Sequence, residues 1–283
     1  MTTFTSEELQ DLTADLCVIA EQAGQIHRKN FEEKSFDVEY KEDDSPVTTS
    51  DYEAHHFMRK KLARLTPDIP IISEENETQP DISNAPVFWT FDPLDSTKNF
   101  VEGKQDFFVK AALIENGKPI LGVINAPMLD TTYFAWRGGP AFKQEKDAPL
   151  EVLQTRQLQP GDKAIILNHD RYSLRPAFQA AVNALSARGI ALDIVNSEKP
   201  GGCLDYMYVA EGIADIYINC GHAESLTGGN GMSWDYAADL IILECAGGHA
   251  EQILSGEAPC FLPPDDNMNA MIGYSCKQAL KPV

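Results

Sequence analysis

The chain has no C-x-x-C pair, no long apolar run and no surplus of basic residues. Its six cysteines (Cys17, Cys203, Cys220, Cys245, Cys260, Cys276) are scattered through 283 residues. That pattern predicts reduced thiols in a cytoplasmic protein rather than a disulfide framework. No apolar stretch is long enough to span a bilayer, and the opening Met-Thr-Thr-Phe-Thr-Ser-Glu-Glu has no secretory-leader pattern. Lys and Arg number 23 against 43 Asp and Glu, a net charge of −20 at pH 7. Such a surface repels nucleic-acid polymers and anionic membranes, so neither is expected as a partner. A small anion is compatible with it, because bound cations can reverse the field at one pocket.

Several catalytic signatures are missing too. There is no H-E-x-x-H zinc pattern, no G-x-S-x-G elbow and no D-x-D-x-D-G calcium loop. Gly228-Gly229-Asn230-Gly231 is not followed by Gly-Lys-Ser/Thr and so is no triphosphate loop. The segment around it, 221–233, reads equally as a substrate loop or a surface excursion. His55 and His56 fall inside a helical pattern where at most one can face the core, and His169-Asp170 follows a strand end.

What is present is an ordinary globular composition, 43% hydrophobic with 13 Phe, 9 Tyr and 3 Trp. It can fill the core of one large domain or of two packed halves. Thr5 and Glu8 have capping-box spacing ahead of a stripe of Leu9, Leu12, Leu16, Ile19, Ala23 and Ile26, predicting a helix from about Ser6 to Phe31. A second helix is expected after Ser50, with Glu53 in the capping position, and 41–50 reads as a loop. Short strands follow at 69–72, 87–91, 107–114, 120–124 and 131–136, with Asn116-Gly117 as a hairpin turn. The second half alternates strand 164–167, helix 175–187, strand 191–195, helix 204–211, strand 214–219 and helix 234–245. The polar stretch 144–162 is the expected join, dividing an α+β half (1–155) from an α/β half (156–283).

Three acidic features stand out. Ser73-Glu74-Glu75 follows the strand ending at Ile72; Asp92-Pro93-Leu94-Asp95-Ser96-Thr97 follows the strand ending at Phe91; Trp234-Asp235 opens a helix. Each has an ordinary alternative: a solvated loop, an Asp-Pro turn and a helix cap. Together they fit a magnesium site, since that ion takes hard oxygen ligands and shares carboxylates with phosphate oxygens. Asp92 and Asp95 can face one point across a proline-stiffened turn, with the Leu94 carbonyl turned inward. Glu74 at a neighbouring strand end and Asp235 from the second half would complete a two-metal cluster in the cleft between halves. The N–H groups of Ser96 and Thr97 suit a phosphate. Asp51 can accept a hydrogen bond from Thr97 and orient an attacking water, or it is simply a first-turn carboxylate of the second helix.

In order and separation, Glu74-Glu75, D-P-L-D-S-T at 92–97 and W-D at 234–235 resemble the signatures of the inositol monophosphatase superfamily. The stretches S-P-V-T-T-S-D (45–51), L-T-P-D-I-P-I-I-S-E-E (65–75), D-P-L-D-S-T-K-N-F (92–100) and G-K-P-I-L-G-V (117–123) are most similar to the bacterial 3'(2'),5'-bisphosphate nucleotidase branch. Lys98 also resembles that branch. The resemblance implies a five-layer αβαβα sandwich and magnesium-dependent hydrolysis of a small phosphate monoester, with two or three ions and inhibition by lithium. A homodimer is compatible with it. Metal ligation would fall to Glu74, Asp92, Asp95, Asp235 and the Leu94 carbonyl, with Glu75 behind them and Thr97 with Asp51 handling the water.

Substrate contacts would fall to Ser96, Thr97, Lys98, Asp205 and Asn219. Three of these positions depart from the family. Ser96 stands where Gly is usual, at a cost on the order of 1 kcal/mol if φ is positive. Asp205 stands where nucleotidases usually have lysine, and Asn219 where inositol phosphatases usually have glutamate. The leading expectation is a bisphosphate nucleotidase, the runner-up an inositol or sugar phosphatase. A catalytically silent metal-binding relative is disfavoured, because a scaffold needs no water-activating Thr97–Asp51 pair.

Overall fold

A computed structural model describes residues 4–159, 161–168, 176–196, 204–219, 231–252, 256–261 and 271–274. The Gly228-Gly229-Asn230 run, His169-Asp170, Cys203, Cys220 and Cys276 lie outside the described residues.

Helix α1 (Ser6–Glu33) opens on the expected Thr5/Glu8 capping box. A hairpin of β1 (Val38–Tyr40) and β2 (Pro46–Thr48) follows, where the sequence reads as loop. Helix α2 (Thr49–Leu65) begins earlier than expected. Its cap is Thr48, whose box partner is Asp51, so Glu53 is not the capping residue. The 45–51 segment holds several residues able to cap, and the one preceded by extended backbone wins.

The large sheet comprises β3 (Ile71–Ser73), β4 (Val87–Asp95), β5 (Phe108–Glu115), β6 (Lys118–Ala126), β7 (Thr131–Trp136), β8 (Ala141–Glu145) and β9 (Glu151–Val152), in that spatial order. A short helix α3 (Thr97–Val101) leaves the end of β4. The β5–β6 turn is Asn116-Gly117 with φ of 51° and 76°, the doubly positive geometry that favours Asn-Gly. β8 and β9 occupy the start of the polar join. β9 forms the edge of the sheet, and Lys143, Gln144, Glu145 and Glu151 give these last two strands the charge that such edges carry.

Strands β4 and β5 are buried on both faces, which explains their near-continuous apolar runs. Alternate residues serve opposite layers. Trp89, Phe91, Val109, Ala111 and Leu113 pack with α1 and α2. Phe88, Phe108, Ala112 and Ile114 pack with two later helices, α5 (Asp205–Ala210) and α6 (Ser233–Cys245). Gly122 on β6 allows a close backbone approach: a Cβ there would lie 2.7 Å from Ala238 Cα on α6.

The small sheet has the order β11 (Leu192–Asn196), β10 (Ala164–Asn168), β12 (Ile216–Asn219), β14 (Met271–Tyr274), β13 (His249–Gln252), parallel among the first three and antiparallel beyond. Helix α4 (Pro176–Ala187) covers it through Phe178, Ala181 and Leu185. The layers therefore run α1/α2, large sheet, α5/α6, small sheet, α4, the five-layer αβαβα arrangement. No helix among the described residues is long and apolar enough to cross a membrane.

Candidate active site

The acidic residues gather where β3, β4, α2 and α6 end or begin. Parallel pairing of β3 with β4 sets Ser73 opposite Phe91, so Glu74, just past the end of β3, neighbours Asp92 within β4, which runs four residues beyond the expected end at Phe91. Glu74 N–H donates to the Phe91 carbonyl at 3.3 Å. Between Asp92 and Asp95 the register with β5 shifts: Asp92 pairs with Lys110 and Asp95 with Phe108. Across this bulge Asp95 stays close enough to Asp92 to raise its proton affinity, and such bulges are common beside active sites. His27 Nε2, 2.7 Å from the Pro93 carbonyl, and its Nδ1, 2.8 Å from Ser50 Oγ, brace the bulge from α1. Asp92 Oδ1 accepts from Leu94 N–H at 2.9 Å.

Thr97 Oγ1 lies 3.1 Å from Asp51 Oδ1 and 2.9 Å from the Leu94 carbonyl. The hydroxyl carries one hydrogen, so it donates to one of these acceptors at a time. Asp51 Oδ2 is occupied by Thr48, accepting its N–H at 2.8 Å and its hydroxyl at 2.5 Å. Asp235 behaves alike: its Oδ2 accepts from Met232 N–H at 2.7 Å at the start of α6. In both aspartates one oxygen closes a helix, which leaves the other, Oδ1, free of that capping role; in Asp51 it accepts from Thr97. Ser96 has φ 71° and ψ 42°, and no side chain caps the first N–H groups of α3.

Electrostatics show how closely the acids crowd. Asp92, 2% exposed, is raised well above the usual aspartate range by burial first, then by Glu74, Asp95 and Asp235. Asp235 is pushed up to about 7, chiefly by burial, with Asp95 and Glu74 adding to it. Burial likewise raises Asp51 to about 6 and Glu75 to about 7.

Two lysines that the sequence reading did not single out meet these acids. Lys41 Nζ lies 2.8 Å from Glu74 Oε1 and 2.7 Å from Glu75 Oε1. Lys110 Nζ lies 3.2 Å from Asp95 Oδ2 and 2.9 Å from Asp239 Oδ2, and donates to the Asp235 carbonyl at 2.7 Å. For Lys110 a signal existed, since a lysine inside an otherwise apolar strand demands a buried partner. Lys41, among loop acids, offered none.

Other expected contacts are less central. Lys98 has a side chain 79% exposed and pairs with Glu102 at 4.0 Å. Asp205, 3% exposed, sits in the first turn of α5. Asn219 ends β12 beside the Tyr206 and Tyr236 hydroxyls. His55 is buried with Nδ1 2.9 Å from Ser73 Oγ, whereas His56 is exposed. A cavity of about 620 Å³ between α1 and β6–β8, lined by Glu21, Arg28, Asn125 and Lys146, includes none of the site carboxylates.

Among the described residues, no three acidic, histidine or cysteine side chains converge tightly enough to hold a metal as they stand. The candidate donor set nevertheless fits magnesium in kind: four carboxylates, two of which (Asp92 and Asp235) are raised by burial and by their acidic neighbours, one backbone carbonyl, and neither thiolate nor imidazole.

The sequence matches the inositol monophosphatase family over residues 8–270. It is 36% identical over 240 residues to the 3'(2'),5'-bisphosphate nucleotidase CysQ of Aggregatibacter actinomycetemcomitans, covering 84% of this chain and 82% of that one. The Salmonella typhimurium protein of the same name is 32% identical over 256 residues, 90% and 95% of the two chains. The crystal structure of CysQ from Bacteroides thetaiotaomicron, a bacterial member of the inositol monophosphatase family, superposes with a TM-score of 0.75 at 25% identity, covering 95% of this chain and 98% of that one. Sequence, fold and acidic motifs agree that the chain belongs to the inositol monophosphatase family, whose members are phosphatase hydrolases.

Proposed function

We propose that this protein is a magnesium-dependent 3'(2'),5'-bisphosphate nucleotidase, converting adenosine 3',5'-bisphosphate to AMP and phosphate. The carrying observation is the Thr97 hydroxyl, within 3.1 Å of Asp51 and 2.9 Å of the Leu94 carbonyl. It ties a basic group to the acidic bulge that would hold the metal, as a hydrolase requires and a scaffold does not. Similarity to nucleotidases over most of the chain supports the substrate.

In this reading Glu74, Asp92, Asp95, Asp235 and the Leu94 carbonyl hold two or three magnesium ions, and lithium inhibits. When bound, magnesium supplies Lewis acidity at the phosphoryl oxygens and neutralises charge on the leaving oxygen. Thr97 donates its hydrogen to Asp51, so its oxygen lone pairs accept from the attacking water and fix that water's direction. Asp51, with an affinity for protons raised to about 6, is suited to draw a proton through Thr97 near neutral pH. The water oxygen bonds to phosphorus as the bridging ester bond breaks, and the departing oxygen takes a proton. Ser96 and Thr97 N–H groups, at the uncapped start of α3, would steady the phosphate. Glu75 supports Glu74 through their shared Lys41. Lys98, Asp205 and Asn219 would line the substrate side.

One feature favours an inositol or sugar phosphate instead. Asp205 puts negative charge where the nucleotidase resemblance expects lysine, which disfavours a second phosphate. The test is phosphate release from adenosine 3',5'-bisphosphate, inositol 1-phosphate and fructose 1,6-bisphosphate, each with and without magnesium. Magnesium-dependent preference for the nucleotide is expected, and preference for either sugar would transfer the assignment. Asp92→Asn should nearly abolish turnover and Thr97→Ala should lower kcat by about 10²–10⁴-fold, with unfolding midpoints retained. Ordinary turnover in both would refute the site.

A further inference from the structure

Lys110 is Asp92's cross-strand partner on β5, and its parity with Phe108 and Ala112 turns it toward α6. There it meets three oxygens. Asp95 Oδ2 is 3.2 Å away, Asp239 Oδ2 is 2.9 Å away, and the Asp235 carbonyl accepts its hydrogen bond at 2.7 Å. The Lys110 side chain is 5% exposed and that of Asp239 is 0% exposed. Asp239 lies one helical turn beyond Asp235 on α6, so one ammonium touches two of the proposed metal ligands and a carboxylate outside that set.

A buried ammonium held by three oxygens is a fixed charge, screened far less by bulk salt than a surface one. Its attraction falls on Asp95, whose carboxylate it shares, and is partly cancelled by Asp239. The balance between these two side chains therefore sets how much negative charge Asp95 presents to an incoming divalent ion. Resting on the function proposed above, we propose that the buried Lys110–Asp239 pair sets the magnesium affinity of this site, Lys110 acting as a positioning residue for Asp95 and for the Asp235 main chain. Lys110 weakens divalent binding by sharing Asp95, and Asp239 restores it by sharing Lys110.

The experiment is isothermal titration of magnesium chloride into the purified wild-type protein, Asp239→Asn and Lys110→Met, with unfolding midpoints recorded for each. Asp239→Asn keeps the shape of the side chain and leaves the whole ammonium charge on Asp95, so magnesium Kd should rise on the order of tenfold. Lys110→Met removes the competitor, so Kd should fall by a similar factor. Opposite shifts are the signature, because a merely structural pair would move both variants the same way or neither. Should Lys110→Met not fold, Asp239→Asn still decides: an unchanged or lower Kd overturns the proposal. Because titration reads binding and not turnover, magnesium-dependent phosphate release by the wild type with unshifted Kd values would refute this inference and leave the proposed function standing.

Discussion

Lys41 and Lys110 each stand between two acidic side chains at hydrogen-bond distance, yet they sit in different media. Lys41 is 27% exposed, reached from the β1–β2 hairpin, and meets Glu74 at 30% exposure. Lys110 is 5% exposed, rises from the middle of a central strand, and meets a fully buried Asp239. Water can replace Lys41 if it is lost, and cannot replace Lys110. The outer contact is thus an adjustable part of the site, and the inner one belongs to the core that holds β5 against α6.

Truncation should expose that difference. Lys110→Met strands Asp239 without its counter-charge and should cost about 3–5 kcal/mol of unfolding free energy. Lys110→Met/Asp239→Leu should recover most of that loss, since no bare charge remains. Lys41→Met should stay within about 1 kcal/mol. Chemical denaturation of the four proteins in EDTA checks the order, and equal losses for the two single lysine variants would erase the distinction between sides.

pH sharpens the comparison, because both sides of the site contain carboxyls raised by burial. Glu75 on the outer side and Asp235 on the inner side are pushed up to about 7, and Asp51 and Asp239 to about 6. For an acid whose folded value exceeds its unfolded one, the stabilisation is complete below the unfolded value, near 4. It is lost as pH rises through the folded value. His27 and His55, both depressed to about 4 by burial, slope the other way and lose stability as pH falls from 6.5 toward 4. With Asp92 added, five raised carboxyls outweigh two histidines. In EDTA the thermal midpoint should therefore fall between pH 5 and 8, and added magnesium should raise it more at pH 8 than at pH 5. A flat profile in EDTA would mean that the acids are less crowded than their positions imply.

The acidic motifs were more legible in the sequence than the charges packed against them. Glu74 follows β3 directly, and Asp92 and Asp95 follow the apolar run 87–91 within β4; an abrupt acid after an apolar run is visible without a structure. The Thr5/Glu8 box and the Asn116-Gly117 turn were readable for the same reason, each being a local rule satisfied by local residues. Lys110, inside an apolar strand, signals only that it needs a buried partner; that the partner is Asp239 depends on β5 facing α6 across 129 positions of chain, a relation no short pattern carries. β8 and β9 were hidden by their polar edge character, and the start of α2 by competition among Thr48, Ser50 and Asp51 for the cap. Asp51 and Asp235 were the ambiguous cases. Both do cap helices, and because a cap occupies only one carboxylate oxygen, that role does not exclude the proposed one.

Ser96, at the start of α3, predicts the smallest effect. Its φ of 71° places a serine in the left-handed region, at a cost of about 1–2 kcal/mol over glycine. Glycine would relieve that strain but lose about 0.5–1 kcal/mol through the greater freedom of its unfolded chain. The net stability change for Ser96→Gly should be about 1 kcal/mol or less, in the stabilising direction. Turnover separates the two reasons for keeping a serine. If the hydroxyl touches the substrate phosphate, Ser96→Gly raises KM severalfold while kcat holds, and an unchanged KM would leave the hydroxyl without a role in binding. The stabilisation is expected either way, since it follows from the backbone angle alone, and a destabilised Ser96→Gly would mean that the serine side chain makes a contact worth more than the strain it imposes.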